Sequence, residues 1–179
     1  MPEEIEVPTE QLHEHMNEAA EHEGGGGFNT RVALTAAIFA VIAAIGGMFA
    51  GHAVNESLIL QIKASDTWAF YQAKSIKSSV LGAKVDTIKA LGKKAPEEDL
   101  KKQEEYKEDM EKLSEKGKEL SEESEAEMAK HIKLARAVTF FQIAIALSAI
   151  AVMTKKKPLW LVSMALGAVG MVFMALGFA

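Results

Sequence analysis

Three stretches of the chain, Val32–Gly51, Ala137–Met153 and Leu159–Ala179, carry no charged residue. A helix rises about 1.5 Å per residue, so about 20 residues cross the roughly 30 Å hydrocarbon layer of a bilayer. Each run approaches or exceeds that length. Backbone polar groups in lipid must be bonded within the segment, so the runs are predicted to be helices. Between the first two runs the pattern changes: residues 55–133 are dominated by Lys, Glu, Ala, Leu, Gln and Met, which favour helix. The pattern predicts an all-α membrane protein. Three transmembrane helices are joined so that a long antiparallel, coiled-coil-like helical hairpin is inserted between the first and the second. The expected organisation is a tail over 1–27, a transmembrane helix over 28–54, the hairpin over 55–133 with its turn near 92–97, and transmembrane helices over 134–153 and 158–179.

The hairpin is read from its punctuation. Gly92 suits a helix end, with Lys93 and Lys94 beside the last carbonyls; Pro96, Glu97, Glu98 and Asp99 suit the positive start of the next helix. After the turn, Tyr106, Met110, Leu113, Gly117, Leu120, Ser124, Glu127, His131, Leu134 and Val138 step by four and three. This is a heptad seam that Gly117, Ser124, Glu127 and His131 erode. Before the turn, Leu81, Val85 and Ile88 make a seam, and Ile62, Ala69, Ala73, Ile76 and Val80 make a stripe with small residues. A turn centred between Lys94 and Ala95 would set Glu56 opposite Lys133, Lys74 opposite Glu115 and Lys84 opposite Glu105, with Asp66 against Glu123 as a counterexample. Leu58, Ile59, Leu60, Ile62, Trp68, Phe70 and Tyr71 point in more directions than one partner helix can cover. That apolar excess predicts a homo-oligomer.

Charge and composition narrow the partners. A net charge of -5 argues against nucleic acid, which needs an excess of Lys and Arg on one face. The absence of cysteine excludes disulfides, thiolate metal sites and cysteine nucleophiles. MPEEIEVPTE has neither a basic n-region nor an apolar core, so the first run reads as a retained anchor rather than a signal peptide. Lys155, Lys156 and Lys157 lie in a very short loop, which favours the cytoplasmic side for that loop and for the N-terminus. Trp160 sits where an interfacial anchor belongs, and Ala43, Gly47 and Gly51 form a small-residue stripe suited to close helix packing. Gly167 and Gly170 thin the third run.

Candidate chemistry is sparse. His13, His15 and His22, with Glu14, Glu18 and Glu21, combine imidazole and carboxylate as zinc, nickel or copper would require. Two histidines two apart cannot share one helix face, however, and a solvated tail beyond the Gly24–Gly27 run is the simpler reading; no metal site and no cofactor are assigned. His52, Glu56, Lys133 and Arg136 are expected to gather at one membrane surface. They could form an ion gate, and more simply a salt-bridge cluster that fixes the helices to the bilayer. Thr35, Gln142, Ser148 and Ser163 are polar groups within the apolar runs, and none is ionisable. No phosphate loop, nucleophile elbow or paired catalytic carboxylate is present, so the chain reads as a non-enzyme.

Asn55-Glu56-Ser57-Leu58-Ile59-Leu60, followed by Ala64-Ser65-Asp66-Thr67-Trp68-Ala69-Phe70-Tyr71-Gln72-Ala73-Lys74, resembles the bacterial membrane proteins grouped as domain of unknown function 4337. The Glu/His-rich leader and the three-span layout extend the resemblance over essentially the whole chain. It implies a bacterial source and the inner (cytoplasmic) membrane, and it supplies no activity, substrate or cofactor; it is the Lys155–Lys157 loop that sets the hairpin on the periplasmic side. It singles out Asp66, Trp68, Tyr71 and Lys74 as an interaction surface. The expected function is a non-enzymatic oligomeric membrane protein that presents a helical hairpin as a scaffold or interaction arm. Its partners would be the lipid bilayer, further copies of the chain and an unidentified protein. The alternative is a small oligomeric channel or transport accessory protein.

Overall fold

A computed structural model describes residues 27–179. These form three helices: α1 (Gly27–Ala90, 64 residues), α2 (Glu97–Thr154, 58 residues) and α3 (Lys157–Phe178, 22 residues). No strand occurs among the described residues. Each helix contains a stretch long and apolar enough to cross a membrane. His13, His15 and His22 lie outside the described residues.

The helix ends follow from local chemistry. At the end of α1, Lys93 N–H donates to the Ile88 carbonyl (3.1 Å) and Gly92 N–H to the Lys89 carbonyl (2.9 Å). This pair of bonds closes a helix only when the residue between adopts a left-handed conformation, and Gly92 does so at φ +72°. The Pro96 carbonyl accepts the first bonds of α2, from Asp99 N–H and Leu100 N–H. Glu97, Glu98 and Asp99 place three carboxylates at the positive end of the α2 dipole. Lys155, at φ +53°, makes the tight link into α3, where Pro158 occupies the first turn.

The chain divides into two compact units, Val54–Met128 and the remainder of the chain. In the latter, Phe141, Leu134, Ala137 and Ala144 are completely buried, with Phe39, Ile145 and Met174 packed around them. Glycines provide the holes. A Cβ at Gly167 would collide with the Phe39 ring, one at Gly177 would lie 2.6 Å from a Leu134 methyl, and one at Gly46 would lie 2.6 Å from the Met174 methyl. Gly170 sits against Phe141 in the same way. The expected Ala43/Gly47/Gly51 stripe is only partly used. Ala36, Phe39, Ala43, Gly46, Ala50 and Ala53 are buried, whereas Gly47 and Gly51 have nothing within 4 Å of an added Cβ. Steps of four drift around the helix by about 40° each, and alternating steps of three and four do not, so the packed face follows the latter.

Within Val54–Met128 the two helical segments lie antiparallel on either side of the turn. Leu60, Ala64 and Leu120 form a small apolar core, and Val85 is buried nearer the turn. The charge register differs from the sequence expectation. Lys74 pairs with Asp109 rather than Glu115, and Lys84 with Asp99 rather than Glu105. Both partners lie about one and two-thirds helical turns closer to the turn than a symmetric connection would place them. The reason is that residues 93–96 are not helical. An extended residue covers about 3.3 Å against about 1.5 Å in a helix, so a few such residues run back alongside α1 before α2 begins.

Candidate functional site

Residues 66–74 of α1 divide between two faces. The Trp68 indole lies over Gly117 of α2, where an added Cβ would stand 2.8 Å from Cε2 and 3.0 Å from Nε1. Tyr71 meets the Trp68 ring edge-on at 5.6 Å between centroids. One helical turn further, Lys74 Nζ donates to Asp109 Oδ2 at 2.6 Å and lies 5.1 Å from the centroid of the Tyr106 ring. The Asp109 hydrogen bond, reinforced by its negative charge, raises the Lys74 pKa above its ordinary value. The reciprocal bond from Lys74 holds the Asp109 carboxyl below its own. Trp68 and Lys74 thus join α1 to α2, and Tyr71 packs on the Trp68 ring. Asp66 is exposed and lies apart from them.

The same face is pinned twice more. Ser57 Oγ donates to the Ser124 carbonyl and Ser124 Oγ to the Ser57 carbonyl, each at 2.9 Å and both buried. Lys84 Nζ straddles the Asp99 carboxylate, 2.9 Å from Oδ1 and 2.7 Å from Oδ2. Gly117 and Ser124 look like flaws when only apolar positions count as seam. Here one is the socket for an indole and the other half of a reciprocal hydrogen bond.

The expected membrane-surface residues His52, Glu56, Lys133 and Arg136 are each exposed on their helices. The residue that sequence reasoning missed is His131, whose Nδ1 lies 2.9 Å from the Ala50 carbonyl and, as the Nδ1–H tautomer, donates to it. The signal was available: His131 stands seven and fourteen residues after Ser124 and Gly117, in one heptad position. Near the other end of the apolar unit, Trp160 Nε1 donates to Thr35 Oγ1 at 3.2 Å, and the Thr35 hydroxyl donates to the Val32 carbonyl at 2.9 Å. Ser163 Oγ donates to the Ala144 carbonyl at 2.8 Å and accepts from Ser148 Oγ at 2.7 Å, joining α2 to α3. Among the described residues no three His, Asp or Glu side chains converge as a metal ion would require.

Large apolar side chains also remain uncovered. On α1, Ile62 is 62% exposed, Phe70 65%, Ile76 66% and Val80 66%, all within the charge-rich unit. The described chain is thus an all-helical protein with three membrane-length helices, its polar side chains tying helices together. It belongs to the family described as domain of unknown function (DUF4337), which matches residues 28–179. No curated protein and no solved structure matches the chain.

Proposed function

We propose that this protein is a non-enzymatic, oligomeric membrane scaffold. Its apolar helical segments anchor it as three spans in the bacterial inner membrane, and its Val54–Met128 hairpin, inserted between the first two spans, serves as the interaction arm. The observation that carries this reading is the exposed apolar face of α1 at Ile59, Ile62, Ile76 and Val80. Lipid accounts for exposed apolar side chains such as Leu34, Ile38 and Val41 in the anchor segment, but not for those in a segment studded with Lys and Glu. Large apolar side chains exposed along one face of a soluble segment mark a protein contact. The exposed Lys155, Lys156 and Lys157 support a cytoplasmic loop there, which puts the hairpin in the periplasm.

The channel alternative has less behind it. Thr35, Ser148 and Ser163, polar groups of the apolar segments, are engaged in hydrogen bonds between or within helices. The packing of Trp68 on Gly117 and the Lys74–Asp109 pair likewise join α1 to α2, as a scaffold requires. The test is the mass of the full chain purified in mild detergent, corrected for bound detergent. A closed multiple of the protomer mass is expected, and a monomer at all concentrations would overturn the reading.

A further inference from the structure

We infer that α1 carries a second heptad seam, facing away from α2, which pairs in parallel with the same seam of another copy of this chain. This rests on the oligomeric reading above and names the surface that would produce it. The seam turned toward α2 includes Ser57, Leu60, Ala64, Tyr71, Lys74 and Val85, in phase with steps of three and four. Moving each position two residues along the chain turns about 200° around the helix and generates a second series with the same spacing. Its large members are Ile59, Ile62, Ile76 and Val80, exposed by 46% to 66%. Its small members are Ala69, Ala73, Ala83 and Ala90, all exposed. Thr87 turns its hydroxyl back to the Ala83 carbonyl, so it presents its methyl side with no donor to satisfy. Asp66 is the one charged position.

Three observations select a second copy as the occupant. A period of 3.5 held from Ile59 to Ala90 is what another helix in a left-handed supercoil requires; lipid and globular surfaces impose no such period. Copies of a membrane protein insert with one orientation, so their α1 helices leave the bilayer in the same direction and meet in parallel. The flanking charges agree with that direction. In a parallel pair, the flanking residue faces the one five positions earlier on the other helix. Lys63 then faces Leu58, Lys77 faces Gln72 and Lys84 faces Ser79, with no like charges opposed. In a fully overlapped antiparallel pair Lys63 would face Lys84. The alanines permit close approach of the two helices, and the isoleucines and Val80 fill the layers between. The cost is Asp66, which a parallel pair sets against its own image.

Because the chain has no cysteine, single replacements report the geometry directly. The full chain in bilayer nanodiscs, carrying Ile62→Cys or Ala83→Cys alone, is expected to form a disulfide-linked dimer on mild oxidation at either position. Lys118→Cys on α2 is expected to form none. Ile76→Asp should weaken association at least about tenfold, and Asp66→Leu should tighten it about tenfold, as expected for losing an apolar layer and a like-charge contact in a supercoil core. Ile76 is exposed, so helix content by circular dichroism should not change with the former. Cross-linking only when the 62 and 83 variants are mixed would mean an antiparallel pair and overturn the proposal. Weaker association on Asp66→Leu would mean a basic partner of another kind, with the same consequence. An intact oligomer that ignores all four changes would leave the oligomeric reading standing and remove this seam; a monomer would remove both.

Discussion

At the scale of single residues, the glycines are not equivalent, and their neighbours say which can change. Gly117→Ala gains about 1 kcal/mol of helix propensity. Against that, the new methyl meets the fused edge of the Trp68 indole rather than a flexible tip, so the whole ring must move, at a cost of about 1–3 kcal/mol for overpacking. The expected outcome is a net loss of stability, measured as a lower thermal midpoint, with rescue by Trp68→Phe. Gly46 and Gly47 make a sharper pair. Leucine at 46 would collide with Met174 and Val138, whereas leucine at 47 enters open space. Gly46→Leu should therefore lower the melting temperature in detergent and Gly47→Leu should leave it unchanged. Ser57→Ala removes one bond of the reciprocal pair with Ser124 and should cost about 1 kcal/mol.

At the scale of the helices, the Lys74–Asp109 pair makes stability depend on pH in a defined direction. The Asp109 carboxyl is held below its ordinary value in the fold, so its contribution is complete above the unfolded pKa. It is lost as pH falls through the folded value, below the usual carboxylate range. Lys74 is raised, so its share is complete below the ordinary lysine value and is lost only as pH rises through the folded one. Melting curves of Asp109→Asn and the parent chain should therefore differ at pH 7 and converge on strong acidification. A constant difference from pH 7 down to pH 2 would contradict this assignment.

The same scale shows what the sequence could and could not reveal. Charge-free runs and the Gly92/Pro96 punctuation disclose three helices and where α1 ends, because lipid-length hydrophobicity and left-handed glycine are local properties. The register is not local: it depends on how far a few extended residues travel, and a symmetric turn misassigns the partners of Lys74 and Lys84. Gly117, Ser124 and His131 look like erosion because a heptad template counts apolar area, whereas a glycine socket and buried hydroxyl pairs need their partners to be seen. The motif names Asp66, Trp68, Tyr71 and Lys74 together, whereas Trp68 and Lys74 contact α2 and Asp66 is exposed, a division that appears once the two faces of α1 are distinguished.

At the scale of the whole molecule, we propose that this chain works as an assembly, with the outward face of α1 as the joint. The apolar helices are long enough to cross a membrane, and the side chains between α1 and α2 hold those two helices together. Neither explains the exposure of Ile62, Ile76 and Val80 in a segment rich in Lys and Glu. The most direct measurement is the intact mass of the full chain released from mild detergent, for the parent and for Ile76→Asp. A discrete multiple of the 19.4 kDa protomer is expected for the parent and a shift to the protomer for the variant. A parent that stays at 19.4 kDa across the accessible concentration range would contradict it.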